Sequence, residues 1–408
     1  MGRVLRALAC FGALAAVLLG ARVAKAVDWE LSLDGRLVDS DGQKSFLDGG
    51  LGALRWGEDK SGVRLGRARF ALSETFFEIL ALKLDASYWG DNDKNPIDLT
   101  EAYFELRPYP RAGFRTRVKA GAFYAPLSLE NHAPGWESPY TLSYSALDSW
   151  IAEELRTIGL EADVDWLGTK LGHSFDVGLT AAVFGWNEPA GVSLAMHGFA
   201  VDDHQTTLFG RVGVEGGVPV AGFEEFREID GRAGTYFGVN ARYLDRITFR
   251  ALHYDNHADP AAFDPVSGAH AWATRFDTAG VRAEGTGGWT AIVQWMQGET
   301  YVAPSGQEHE WDFTTRYLLL SEQIGKHTLS ARYDQFHVTP EAPTNKGRQT
   351  GDAWTVSYLY EPNRHWRFAI EWLSVHSSQS NREIYLAESP LATETMLQLA
   401  IRYAIGST

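Results

Sequence analysis

Alternation of apolar and polar residues, sustained over segments too long for an ordinary soluble strand, is the feature that most limits the folds open to this chain. In "MLQLAIRYAI", 396–405, Leu397, Leu399, Ile401, Tyr403 and Ile405 oppose Gln398 and Arg402. In "VDWELSLDGRLV", 27–38, Trp29, Leu31, Leu33 and Leu37 oppose Glu30, Ser32, Asp34 and Arg36. In "LALKLDASY", 80–88, Leu80, Leu82, Leu84 and Ala86 oppose Lys83, Asp85 and Ser87. In "EAYFELR", 101–107, Ala102, Phe104 and Leu106 oppose Glu101, Tyr103, Glu105 and Arg107. Strand side chains point to opposite faces at every second residue, so each segment reads as a strand with one apolar and one polar face. A soluble sandwich produces the same pattern with its apolar faces inward. Length separates the two: the segments run about 9–12 residues, as a tilted bilayer-crossing strand requires. Soluble strands centre on about five or six. After residue 26 no uncharged apolar run reaches 18 residues, which excludes membrane-spanning helices and leaves a membrane barrel open.

The connections between segments alternate in length. Those at 244–246, 285–288, 321–326 and 361–365 are tight, whereas 256–271, 299–309, 338–351 and 377–392 are long and polar. Short turns at one end and long loops at the other are the outer-membrane pattern. Trp89, Trp186, Trp311 and Trp354 fall at long-loop ends, and Trp166, Trp289 and Trp366 at short-turn ends, where aromatic girdles are expected. The fold class predicted is an all-β, transmembrane antiparallel β-barrel spanning 27–408. Strand starts near 28, 63, 78, 99, 114, 157, 173 and 206, with nine more from 234 onward, give an odd total. The stretch 206–233 is rich in Gly and carries Pro219, a poor strand composition. Sixteen strands are therefore expected, with eighteen as the alternative. Residues 1–26 read as a signal peptide: a basic start, the apolar "ALACFGALAAVLLGA", and Ala24-Lys25-Ala26 as a cleavage site.

Charge and cysteine content narrow the function. The formal charge is −15; removing 1–26, which holds four cations and no acid, takes it to −19. That argues against a nucleic-acid partner. Cys10, the single cysteine, lies within 1–26, so thiol catalysis and zinc-thiolate sites are not expected. No hydrolase elbow, metalloprotease helix motif or phosphate-cradling loop is present, and no cofactor is called for. In "DNDKNPID", 91–98, Asp91, Asp93 and Asn95 begin like a calcium loop, but Pro96 replaces the turn glycine and Ala102 the closing glutamate. A polar loop is the better reading. His253 and His257 are read as loop residues rather than a metal pair.

One segment focuses the reading. In "FRTRVKAGAFYAPLSLEN", 114–131, Arg115, Arg117 and Lys119 alternate with small or apolar residues. If Val118, Ala120 and Ala122 face lipid, the cations face the barrel interior. A cation on the lipid face at mid-bilayer would cost roughly 2–4 kcal/mol. Arg67 and Arg69 repeat the arrangement, and Lys83, Asp85, Glu101 and Glu105 join them inside. These are the candidate pore-lining residues, either as a cationic track for anions or as mutually neutralising wall charges. The loop from Tyr124 to Leu155 contains Glu130, Glu137, Asp148, Glu153 and Glu154, and no Lys or Arg.

The chain resembles the phosphate-selective O and P type trimeric porins of Gram-negative outer membranes. The resemblance rests on Arg67 and Arg69, on Lys83 and Asp85, on Gly121, Phe123, Pro126, Ser128, Leu129 and Glu130, and on Arg156, Ile158 and Gly159, in that order. It covers about the first 165 residues. It implies a sixteen-stranded homotrimer in outer-membrane lipid, passing small hydrophilic solutes or ions. It also implies that the third loop folds into the lumen as a constriction, with the five acids and Arg156 upon it. A phosphate filter needs cations at its narrowest point, and the acidic loop departs from that. A passive diffusion channel is the leading expectation. The alternatives are a barrel enzyme, and a plugged barrel with an adhesive or structural role.

Overall fold

The computed structural model describes residues 27–91, 95–211, 224–341 and 346–407. The segment read as a signal peptide lies outside them. The first half supplies β1 (Asp28–Ser40), β2 (Gly62–Phe76), β3 (Leu80–Tyr88), β4 (Ile97–Leu106), β5 (Phe114–Phe123), β6 (Thr157–Trp166), β7 (Phe175–Gly185) and β8 (Gly234–Tyr243). The second supplies β9 (Ile247–Asp255), a two-residue hairpin of β10 (Phe263–Asp264) and β11 (Ala269–His270), β12 (Ala273–Glu284), β13 (Trp289–Val302) and β14 (His309–Ile324). The chain ends with β15 (His327–Pro340), β16 (Gln349–Asn363), β17 (Trp366–Gln379) and β18 (Leu391–Gly406). Sixteen of these, all but β10 and β11, pair antiparallel with their neighbours, and β1 pairs with β18 to close the barrel. Closure leaves no unpaired edge, the condition for a sheet in hydrocarbon.

The sense of burial is inverted relative to a soluble sandwich. On β1, Leu33 is 54% exposed and the neighbouring Asp34 only 3%. On β18, Leu397, Leu399 and Ile401 face out while Gln398 is buried. Apolar residues outside and charges inside are what a lipid solvent and a polar lumen select.

Sequence and structure differ in four places. The strand expected near 206 does not form. Thr206 and Leu208 each make a single backbone bond, to Ala152 and Leu99, and the described part of 206–233 adds no strand to the ladder. Second, β14 and β18 reach 16 residues, longer than alternation indicated, because their loop-end portions rise above the apolar belt. At that end of the wall, polar residues stand at outward positions of β12 to β16: Arg275, Asp277, Glu299, Asp312, His337 and Asp352. Third, Trp89 and Trp311 are buried inside rather than in a girdle. Trp89 lies beneath the guanidinium groups of Arg55 and Arg67; Trp311 stacks on Trp272. Outward Trp354, Trp289 and Trp366 are exposed as expected. Fourth, His253 belongs to β9, pointing outward against Asp277 at 2.8 Å.

The lumen is not hollow throughout. Three loop-end connections fold inward. The β1–β2 connection buries Phe46, Leu54 and Trp56. The β5–β6 connection carries a helix, Ala146–Glu154, every residue of which is buried. Ser145 caps that helix by accepting from the Asp148 N–H at 3.2 Å, and an oxygen-bearing side chain at this position satisfies an orphan donor. The β7–β8 connection contributes a short helix, Val192–Met196, and the buried Phe199 and Val201. Leu147, Trp150 and Ile151 join Leu194, Phe199 and Val201 in one apolar cluster with Phe276, Phe313 and Phe336 of the wall.

Candidate functional site

The basic row of β5 is met residue for residue by an acidic row on β6. Arg115 stands opposite Asp165, Arg117 opposite Asp163, and Lys119 opposite Glu161. The ion contacts are 2.9 Å for Arg115–Asp165, 2.9 Å for Arg117–Asp163 and 2.8 Å for Lys119–Glu161. On the other side Arg117 lies 3.7 Å and Lys83 3.5 Å from Glu105. Arg69 binds Asp85 through Nε at 2.7 Å and Glu30 through Nη1 at 2.7 Å. Glu101 accepts the backbone N–H of Tyr124 at 3.0 Å, fixing the point where the chain leaves β5 for the lumen. Gly121 permits that departure. Its φ is +135°, and a Cβ there would meet the Ala102 carbonyl oxygen at 2.3 Å. The acids of β6 were legible in "LEADVDW", where Glu161, Asp163 and Asp165 alternate in step with the cations of the preceding strand.

The acids of the inward loop do not form a bare negative rim. Glu130 binds Arg332 of β15 at 2.7 Å and accepts the Ser145 N–H at 3.1 Å. Glu137 contacts both Arg67 and Arg402. Asp148 accepts from the Ser128 hydroxyl at 2.9 Å; burial, with Glu130 beside it, holds its carboxyl well above the usual range. Glu153 lies 2.8 Å from His197. Burial pushes the Glu153 carboxyl up and the His197 imidazole down to about 4, so near neutral pH the imidazole meets Glu153 uncharged. Glu154 accepts from the Trp150 indole at 2.6 Å and from the N–H groups of Gly191 and Ser193. Arg156 stacks 3.3 Å over the Tyr124 ring and donates to the Thr206 carbonyl at 2.9 Å. Each acid of the loop thus holds the loop to the wall, to the second inward segment or to the loop itself.

Between the inward loop and the wall, a small polar cavity lies against β17, β18, β1 and β2. Arg367, Arg402, Asp34 and Arg67 are successive cross-strand partners at one height. Glu137 and Tyr144 face them from the loop. Asp203, from the β7–β8 segment, binds Arg36 and Arg55 at 2.9 Å each. Sequence reading found Arg67 and Glu137 but not Arg367, Asp203 or Arg332. The first and last are ordinary inward positions of strands, and Asp203 lies in a loop with no periodicity. The incipient calcium motif is engaged otherwise: Asp91 binds Arg55 at 2.6 Å, Asn95 donates to the Phe209 carbonyl, and Asp93 lies outside the described residues.

No protein-family model and no curated protein matches this sequence. Solved structures do share its fold. The outer membrane channel DcaP of Acinetobacter baumannii superposes with a TM-score of 0.53 at 10% identity, over 93% of this chain and 96% of that one. An anion-selective porin from Comamonas acidovorans gives 0.52 at 12% identity, over 93% and 99%. OmpT, an outer membrane protein of Vibrio cholerae in its trimer form, gives 0.52 at 12%, over 93% and 99%. The likeness shows a shared fold, and closure of sixteen strands makes that fold an outer-membrane type β-barrel.

Proposed function

We propose that the protein is an outer-membrane porin through which small hydrophilic solutes diffuse, with a preference for small anions such as phosphate or organic acids. The fold shared with an anion-selective porin and with DcaP supports the channel reading. One observation carries the charge preference. Around β5 the wall ion pairs are formally balanced, yet the cation is the more exposed member of each, whereas Arg69 of β2 is more buried than its partners Glu30 and Asp85. The Arg115 side chain is 56% exposed and Asp165 15%; for Arg117 and Asp163 the values are 41% and 5%. Lys83 over Glu105 is the same. A passing ion sees guanidinium and ammonium groups before it sees carboxylates, and lumen charges at close range set selectivity. A homotrimer fits this reading, in line with the trimer form of the Vibrio OmpT barrel.

A second reading, a plugged barrel, is favoured by the apolar cluster that the three inward segments share with the wall. Reversal potential in a planar bilayer under a KCl gradient decides between them. The comparison is wild type against Arg115→Gln/Arg117→Gln/Lys119→Gln. Anion selectivity that falls in the variant supports the proposal. Cation selectivity unchanged in the variant overturns the charge preference, and absence of conductance establishes the plug.

A further inference from the structure

Above the barrel rim, three carboxylates converge from two stretches of the β7–β8 connection. Glu188 follows the end of β7; Glu228 and Asp230 belong to the segment that returns to β8. One oxygen of each lies within 4.8 Å of the others. Glu188 is 2% exposed, and its Oε1 has no hydrogen-bond partner among the described residues. Its other oxygen, Oε2, accepts the N–H groups of Ile229 and Asp230. Glu228 Oε2 accepts the Trp186 N–H at 2.9 Å. Asp230 accepts the N–H groups of Arg232 and Asp259. The backbone thus orients all three carboxylates and leaves their charge largely unanswered. The cation nearest to hand, Arg232, is 3.9 Å from Asp230 and is committed to Asp259 at 2.9 Å. Arg227 is turned to Glu224 and Asp264. Gly185 leaves the room: a Cβ there would meet Glu228 Oε2 at 2.7 Å.

We propose that Glu188, Glu228 and Asp230 bind a divalent hard cation of the calcium class, which fastens the returning segment of the β7–β8 connection to the barrel rim. Three carboxylates whose oxygens lie within 4.8 Å of one another, one of them buried with a bare oxygen, call for a shared cation or a shared proton. The donors are all oxygen, without nitrogen or sulfur, and that selects calcium or magnesium over zinc or copper. Calcium accepts irregular carboxylate sets completed by water. The rim already holds one end of the clasp, because Trp272 donates to the Glu188 carbonyl at 2.7 Å. A second acidic group, Glu299, Glu310 and Asp312, lies on the outer wall with Arg275 bonded to Glu299; it lacks a buried bare oxygen and serves as the control.

The test is limited trypsin cleavage at Arg227 and Arg232 of the folded full chain, with calcium chloride or a chelator. Cleavage of a segment that opens and closes quickly follows its open population. Calcium sites of extracellular modules have a Kd of about 10⁻⁴–10⁻³ M, so 10 mM calcium should slow cleavage by about 10–100-fold. Glu188→Gln and Asp230→Asn should abolish the protection, and Glu310→Gln should leave it intact. Folding of each variant is checked by heat-modifiable gel migration, and Glu228→Gln replaces any that fails. Equal cleavage of the wild type with and without calcium overturns the proposal. So does protection that persists in Glu188→Gln. Calcium-independent protection in Glu188→Gln alone would assign the cluster to a shared proton instead.

Discussion

Arg332 is the place where the inward loop is most firmly held, and replacing it with leucine should release that loop without opening the barrel. The guanidinium is fully buried on β15. It binds Glu130 at 2.7 Å and Asp334 at 2.9 Å, and donates to the carbonyls of Ser143 and Tyr144 at 2.8 and 2.6 Å. Leucine leaves two buried carboxylates without a cation and two carbonyls without a donor. Removing one partner of a buried pair costs about 3–5 kcal/mol, and every 1.4 kcal/mol is tenfold in a population. The released fraction of the loop should therefore rise by roughly two to three and a half orders of magnitude. Hydrogen exchange reads this directly. The Ser145 amide donates to Glu130 and the Ala146 amide to Asp334, so both should lose protection by that factor. Amides of β14 and β16, whose partners are backbone, should change little. Protection at Ser145 and Ala146 that falls less than about threefold, below 1 kcal/mol, would refute the anchoring role. Lysine should rescue poorly, because one ammonium cannot reproduce the planar fork.

Two further outcomes follow from the same geometry. Burial raises the Asp202 carboxyl to about 8 and lowers the imidazoles of His197 and His204 to about 4. A raised carboxyl contributes stability that is present at low pH and lost as pH rises through about 8; the buried histidines oppose this only below their ordinary value of about 6.5. Packing of the β7–β8 segment should accordingly weaken between about pH 6.5 and 8, and Asp202→Asn should flatten that slope; hydrogen exchange of the His204 amide, which donates to Asp202 at 2.6 Å, checks it. On the outer wall, Leu399→Arg places a cation in the apolar belt and should destabilise folding into bilayers by about 2–4 kcal/mol, whereas Asp312→Arg, above the belt, should cost about 0–1 kcal/mol; equal costs in a urea titration would show that the belt has been misplaced.

The barrel itself was readable from the chain because lipid on one side and a polar lumen on the other impose a strict two-residue period on every strand. That period alone identified the inward set of Arg67, Arg69, Lys83, Asp85, Arg115, Arg117 and Lys119. The weakness of 206–233 as a strand was readable from its glycines and Pro219 instead. The pairing of β5 cations with β6 acids was half-readable, since the two rows are adjacent in sequence but their register depends on the turn between them.

What the chain could not show is how its loops are used. A loop has no period, so nothing in the sequence announced that Asp203 would reach Arg36 and Arg55, or that Glu130 would meet Arg332 across 202 residues. The third loop read as acidic and without Lys or Arg, and only the tertiary structure revealed its acids bound to arginines, amides and a neutral histidine. The inward turn of Trp89 and Trp311 likewise depends on which side of the wall each residue occupies at the loop end. Above the apolar belt, water replaces lipid outside and loops replace water inside, so the hydrophobic sense of the strands reverses. Periodicity is a local property set by the solvent on each face, and determines the barrel; the convergence of distant charges is a property of closure, and determines how the inward loops are held.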